Sequence, residues 1–442
     1  MEPLPALAED RRVLIPATWV RKFVKLRHWI YLAGPIGLVV GAGVSLLELL
    51  CNRVLWGPVS GLGLWARLAA PVAGLLLSGW ALNRLHLRTV GMLNDVVVQY
   101  HTPPMTLSPR VDLLEAGACV ATVGLGASLG LGGPSQWLGA RLALYLRWLV
   151  GKVRPMQGIT RRQILLVGAA AGVSAYFRAP LAGTILAMET PFRRDMDGTA
   201  LLPASVASLL AHWIHGLLVG NAPLLPFPDL GPRSLRAILG ALFIGLAAGL
   251  LSRRFQRGVI QIRAWTRDWS WQARALAGGV GTSSTAWVAW RCFGDTWTLQ
   301  GGLPVALRVF DGRFLVTAVL CLLVLKVLAV WFTLGTTGVA GLLVVTLSVG
   351  TLLGGALHPL VPDLTLPLAC AVAVCAYLAA NYNAPLTGLA LAVEWGGRGL
   401  LMSAWPAVLV GAWVGAGLAN TPAKTRHRHI RSHHGRITHG HP

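Results

Sequence analysis

The sequence predicts an all-α, polytopic integral membrane protein built from two related halves. Three observations predict it. Of 442 residues, 55% are hydrophobic and only 12% charged, with a mean hydropathy of +0.61, whereas a soluble chain carries about 25% charged residues. Apolar runs of the roughly 20 residues that a bilayer requires recur along the whole chain. Residues 177–189, FRAPLAGTILAME, also match residues 382–394, YNAPLTGLALAVE, at seven of thirteen positions in register.

The long runs fall at 29–51, 66–83, 163–189, 236–251, 313–334, 338–361, 366–380 and 400–419. Shorter or Gly-broken ones fall at 111–131, 133–150, 180–189 and 384–394. Eighteen Trp lie largely near run ends, as an interfacial aromatic belt requires. Each copy of the repeated motif follows a small-residue, helix-like run, 164–176 and 368–380, so the repeat reads as a duplication rather than a chance match. Short hydrophobic segments broken by Gly and Pro, repeated in two halves, mark transporter folds with a site between the halves. The organisation expected is a basic N-terminal segment 1–28, a membrane repeat over 29–220, a Pro-rich linker 221–235, a second repeat over 236–420 and a basic, His-rich tail 421–442. The first 25 residues show no cleavable signal, so the first run is expected to stay in the membrane.

The net charge is +22, with Lys and Arg clustered at both ends. Flanking basic residues mark the cytoplasmic side, so both termini are expected there, in a cell inner membrane. A tail of about 20 residues is no nucleic-acid-binding module. Its histidines, irregular among arginines, read as a solvated tail rather than a metal site. Cys51, Cys119, Cys292, Cys321, Cys370 and Cys375 lack C-x-x-C spacing and read as small core residues. No metal, cofactor or enzymatic constellation is evident. The Gly-rich run GLGASLGLGG (124–133) lacks the spacing, preceding strand and distal acid of a dinucleotide site. Three carboxylates, Glu48, Glu189 and Glu394, lie inside apolar runs. Each costs about 2.5–3.5 kcal/mol there and demands a partner, a helix end or a function.

The A-P-L-[AT]-G pair, the segment Gly130-Leu131-Gly132-Gly133-Pro134-SQWLGA, the stretch GTTGVAGLLVVTLSVGTLLGG (335–355) and, weakly, TVGMLNDV (89–96) together resemble the CLC chloride channel and transporter family. The resemblance covers roughly residues 30–420. It implies an inverted repeat of tilted and broken helices and a homodimer with one anion pathway per subunit. The apolar residues 180–219 and 384–419 would supply the dimer face. An anion held in a membrane needs dipoles rather than a full cation, which would bind it too tightly to let it go. Bare amides at a helix N-terminus supply such dipoles, with a partial charge of about +0.5. Pro134 suits a first helical turn, where its missing N–H costs nothing. The candidate pathway residues are therefore Val90, Gly91, Gly130, Gly132, Gly133, Pro134, Gly341, Leu342 and Leu343.

Departures from the family pattern decide the expected mechanism. The gating glutamate of the family falls on Gly132 and its inner proton glutamate on Thr190. Its anion-binding serine falls on Val90, and its C-terminal pore tyrosine has no counterpart, since the last tyrosine is Tyr382. Nothing at position 132 would block the outer anion site. Passive, proton-uncoupled chloride conduction across lipid is the function these losses imply. One alternative is a proton-coupled exchanger in which Glu189 substitutes for the lost proton group; another is a non-conducting or partner-dependent subunit that kept the fold. Glu189 and Glu394, which close the two repeats, otherwise read as structural carboxylates at helix ends. Lys326 reads as snorkelling to the cytoplasmic face, and Arg178 as doing the same or adding positive potential near the pathway.

Overall fold

A computed structural model describes residues 17–87, 92–102, 107–152, 159–191, 198–232 and 234–416. Val90, Gly91, the first 16 residues and the His-rich tail from 417 on lie outside the described residues. The first half runs α1 (Ala17–Glu48), a π-helical turn Leu49–Trp56, α2 (Gly57–Gly61), α3 (Leu64–Arg84), α4 (Met92–His101), α5 (Pro109–Gly124), α6 (Gly132–Gly151), α7 (Arg161–Phe177), α8 (Pro180–Glu189) and α9 (Leu201–Leu218). After a non-helical stretch come α10 (Leu235–Trp265), α11 (Trp271–Phe293), α12 (Leu303–Phe310), α13 (Val316–Gly335), α14 (Leu343–Leu357), α15 (Leu366–Tyr382) and α16 (Pro385–Ala416). The fold is all-α, as expected.

Among the described residues, seven helices are long and apolar enough to cross a membrane. α10, at 31 residues, is about 46 Å long and must tilt within a hydrocarbon layer of about 30 Å. α8, at 10 residues, reaches only about 15 Å and ends inside the molecule. The run expected at 163–189 is broken rather than continuous. Arg178 takes a left-handed conformation (φ 55°) between α7 and α8, and Asn383 does the same (φ 53°) between α15 and α16. These are matching positions of the repeat, each just before Ala-Pro-Leu. Proline cannot continue the preceding helix but fits the first turn of the next, so the chain reverses at both places. α16 carries a kink of its own at Gly397 (φ 69°).

α11 was not evident as an apolar run, because small and polar residues that face neighbouring helices dilute its hydropathy. Gly278 and Gly279 of α11 leave room for Thr336 and for Val72 respectively, and Ser208 and His215 of α9 are fully buried. The basic residues expected ahead of the first span lie partly in its helix, since α1 begins at Ala17.

Close helix contact rests on glycine. A Cβ at Gly139 of α6 would lie 2.1 Å from the Gly168 carbonyl oxygen of α7, and one at Gly172 would lie 2.0 Å from the Ser135 carbonyl oxygen. In the second half, Gly350 and Gly354 of α14 meet the backbone of α15 at Val374 and Ala369. Small residues let helices associate through backbone contact where lipid supplies no hydrophobic drive. Three helices carry ordinary N-caps: Thr160 forms a capping box with Gln163 at α7, and Ser234 and Ser270 cap α10 and α11. The central starts of α6, α8 and α14 carry no side-chain cap of their own.

Of the six cysteines, Cys51, Cys119, Cys370 and Cys375 are buried and unpaired, whereas Cys292 and Cys321 are exposed rather than core residues. Gly139→Ala is expected to destabilise the protein by about 3 kcal/mol or more, because the clash is with backbone that cannot rotate away. Gly117→Ala, which meets nothing within 4 Å, should be neutral or add about 0.5–1 kcal/mol. Thermal unfolding of both variants in detergent checks this, and equal melting temperatures would refute the packing argument.

Candidate functional site: paired helix starts at the centre of the fold

Two kinds of helix start lie at the centre, and they are treated oppositely. At α8, Pro180 has no N–H and the ladder begins with Gly183 donating to the Ala179 carbonyl (2.9 Å). That leaves the amides of Leu181 and Ala182, and both donate to Glu394 of the other half, to Oε1 and Oε2 at 2.9 Å each. At α16 the same accounting holds. Leu386 and Thr387 donate their amides to Glu189 at 3.1 and 3.0 Å, and the Thr387 hydroxyl adds a bond of 2.8 Å. Each repeat-closing glutamate thus caps the first turn of the other repeat's helix. Because the end of α8 meets the start of α16 and the start of α8 meets Glu394, the two segments run antiparallel, as an inverted repeat requires. Glu189 is a cap whose two oxygens accept three hydrogen bonds, the arrangement of a structural carboxylate at a helix end.

The starts of α6 and α14 are left bare. Gly130 and Gly341 exchange backbone hydrogen bonds of 3.0 and 2.9 Å in an antiparallel bridge. A Cβ on Gly133 would lie 2.9 Å from Gly341 Cα, so the two chains cross with glycine on both sides. The ladders begin with Ser135 donating to Leu131 and Thr346 donating to Leu342, both at 2.8 Å. Pro134 donates nothing. The amides of Gly132 and Gly133, and of Leu343, Val344 and Val345, have no acceptor among the described residues. Gly130, Gly132, Gly133, Pro134, Gly341 and Leu343 are buried and Leu342 is half-buried. The positive ends of two helix dipoles therefore converge in the interior, with no carboxylate on either.

Three expectations change. First, position 132 is not open space. A Cβ there would fall 2.6 Å from Leu343 Cβ and 3.1 Å from Phe177, so apolar side chains from α14 and α7 fill the volume a gating carboxylate would need. Second, tyrosine does reach the site, from elements that sequence motifs did not connect with it. The Leu131 amide meets the Tyr176 hydroxyl and the Leu342 amide meets the Tyr382 hydroxyl. A phenol that accepts an amide hydrogen keeps its own hydrogen to donate. Third, Lys326 does not snorkel: it is 1% exposed. Its ammonium donates to Ser128 Oγ at 2.9 Å and to the carbonyls of Thr298 and Gln300 at 3.0 and 2.5 Å.

Other polar groups find internal partners. Arg178 turns inward rather than snorkelling, donating to the Ala222 carbonyl at 2.6 Å and lying 3.6 Å from Glu48, whose other oxygen is 2.9 Å from His215. Thr190, the second lost glutamate position, bonds its hydroxyl back to the Leu186 carbonyl at 2.5 Å. One cluster was missed altogether. Asp112 of α5 pairs with Arg141 of α6 at 3.2 Å and accepts from Tyr145 at 2.6 Å, while the neighbouring Glu115 is buried with Oε2 unbonded. Asp95 of α4 acts on Glu115 electrostatically, so three carboxylates share this cluster. Its residues scatter over three helices without any motif spacing. Among the described residues, no group of three or more His, Cys, Asp or Glu is arranged to hold a metal.

The geometry agrees with the comparisons. Residues 74–416 match the voltage gated chloride channel family model. The chain belongs to that family, here called CLC. It is 28% identical over 340 residues to a putative chloride channel protein ClcB-like of Ralstonia nicotianae, covering 75% of this chain and 77% of that protein. It is 26% identical over 293 residues to an H(+)/Cl(-) exchange transporter ClcA of Vibrio vulnificus, covering 62% of this chain and 60% of that protein. Among solved structures it superposes on a slow cyanobacterial Cl-/H+ antiporter with TM-score 0.76 at 19% identity, over 90% of this chain and 96% of that one. The CLC chain described here is thus a multi-pass membrane protein whose bare central helix starts stand at the family's motifs.

Removing either cap tests the reciprocal arrangement. Glu189→Ala and Glu394→Ala should each cost about 2–4 kcal/mol, since each leaves two amides without a charged acceptor. Thr190→Ala, which loses only a local back-bond, should stay within about 1 kcal/mol of wild type. Melting curves in detergent compare them, and a Glu189→Ala melting point equal to that of wild type would contradict the cap.

Proposed function

We propose that this CLC protein conducts chloride passively across a cell inner membrane, without proton coupling, as a homodimer with one pathway per subunit. The observation that carries the reading is the pair of uncapped helix starts at Gly132 and Leu343, joined by the Gly130–Gly341 bridge. Five bare amides there offer an anion partial positive charge that attracts without the grip of a full ion pair. Neither start bears a carboxylate, so a proton has no group to ride on at the crossing. Residues 29–220 and 236–420 form the two halves of the pathway under this reading, with both termini cytoplasmic. The exposed apolar side chains of α8, α9 and α16, among them Leu209, Trp213 and Leu409, supply the subunit contact.

Purified protein in chloride-loaded vesicles tests it, with potassium and valinomycin to carry the counter-charge. Expected at saturating chloride are chloride efflux with no accompanying proton movement and a rate that changes little between about pH 4.5 and 7.5, the range in which an ordinary carboxylate is ionised. Chloride flux that drives protons uphill would overturn the passive reading, and no flux under any gradient would favour a non-conducting subunit. Leu343→Ala should raise the rate, because Leu343 is the side chain that lies over Gly132. Gly132→Glu alone cannot report on gating, since its first side-chain carbon collides with Leu343; Leu343→Gly must accompany it.

A second reading, proton-coupled exchange, draws support from the names of the Vibrio vulnificus relative and of the cyanobacterial structure. The group it would use is Glu115, whose buried Oε2 is unbonded, rather than Glu189, whose oxygens are committed. Should protons be driven, Glu115→Gln is expected to abolish the coupling while chloride still moves.

A further inference from the structure

The geometry points to Lys326 as a residue that sets chloride affinity from behind the pathway, by its charge and not by contact. The inference rests on the reading that anions pass between the starts of α6 and α14. Lys326 sits in α13, is 1% exposed, and among the described residues has no carboxylate within ion-pair distance. Its three acceptors are all neutral: one serine hydroxyl and two backbone carbonyls. An ammonium removed from water without a counter-charge is costly, and an apolar side chain of similar volume would be the cheaper occupant.

The position of the charge explains what it does. Ser128 lies two residues before Gly130, and Gln300 opens the turn Gln300-Gly301-Gly302. A Cβ on Gly301 would lie 2.6 Å from Val344 and 3.9 Å from Gly130 Cα; one on Gly302 would lie 2.9 Å from both Lys326 Cε and Ser348 Oγ. The turn therefore packs directly behind the bridge, with the ammonium on its far side against the early turns of α14. All three N–H groups of the ammonium are used, so none is left to bond an anion. Its field is not screened by water there, and it acts on the bare amides across a thin layer of protein. An anion at the crossing supplies the counter-charge that the lysine lacks. It is drawn in without a direct ion pair, so it can leave again.

The experiment uses the full chain in vesicles, reading chloride efflux against chloride concentration for wild type, Lys326→Met, Lys326→Gln and Lys326→Arg. Both neutral variants are expected to need about tenfold more chloride for half-maximal rate, while Lys326→Arg stays within about twofold of wild type. A purely structural lysine gives another pattern, because arginine is bulkier and would disturb the sealed turn at least as much as glutamine does. A neutral variant that folds and saturates like wild type overturns the inference, as does Lys326→Arg failing alongside the neutral pair. Absence of flux in wild type would instead overturn the conduction reading on which the inference stands.

Discussion

The structure hangs on the exchange of two glutamates between its halves. An amide away from water has no solvent to turn to, so a helix that starts inside a membrane protein is stabilised by an acceptor. α8 and α16 both start there, and proline at each first position reduces the need to two amides, those of Leu181 and Ala182 and of Leu386 and Thr387. A single carboxylate has the two oxygens to satisfy them, and the carboxylate comes from the opposite half. This locks the repeats together with charge-assisted bonds, which are about twice as strong as neutral ones. It also fixes their opposed direction, because each glutamate lies at the far end of the helix whose start is capped. The bridge between Gly130 and Gly341, and the crossing it makes, depend on that alignment.

Much of this was legible in the sequence, and what was not had one cause. The repeat and the helix starts after Gly130 and Gly341 are local features, and local spacing encodes them. Glu189 and Glu394 could be read as carboxylates at helix ends. That each serves the other's helix could not, since the capping partners stand 198 to 213 residues apart. The same limit explains Lys326. Read along its own helix it is a lone cation in an apolar run, for which snorkelling is the ordinary outcome. Its acceptors come from residues 128, 298 and 300, and only the folded chain puts them beside it. Tyr176 and Tyr382 were passed over because the family resemblance directs attention to a tyrosine further along. The amides of Leu131 and Leu342 are reached by these two from α7 and α15 instead.

Helix starts in this fold are closed in different ways. Thr160, Ser234 and Ser270 close those of α7, α10 and α11 with neutral hydroxyls, and Glu189 and Glu394 close two central starts with charge. α6 and α14 are closed by nothing, although both are buried. Leaving such amides unpaired costs about 1–3 kcal/mol for each group, a loss that selection for stability alone would remove with a serine at position 131 or 342. Both positions carry leucine. A cap there would fill the space an anion needs, and a carboxylate cap would repel it.

The apolar cover over Gly132 then takes on a specific meaning. A carboxylate at that position would compete with an anion for the amides and would respond to protons; Leu343 and Phe177 do neither. They exclude water, which would otherwise solvate the bare amides and weaken their hold on an anion, and they raise the strength of every dipole behind them by lowering the local dielectric. With no carboxylate at the crossing and two neutral phenols beside it, the proposed attraction comes from fixed dipoles and from a charge set back in the protein. Under the proposed conduction the neutral lining and the buried lysine are two parts of one arrangement: the lining would set how easily an anion slips past, and the charge behind it how readily one enters.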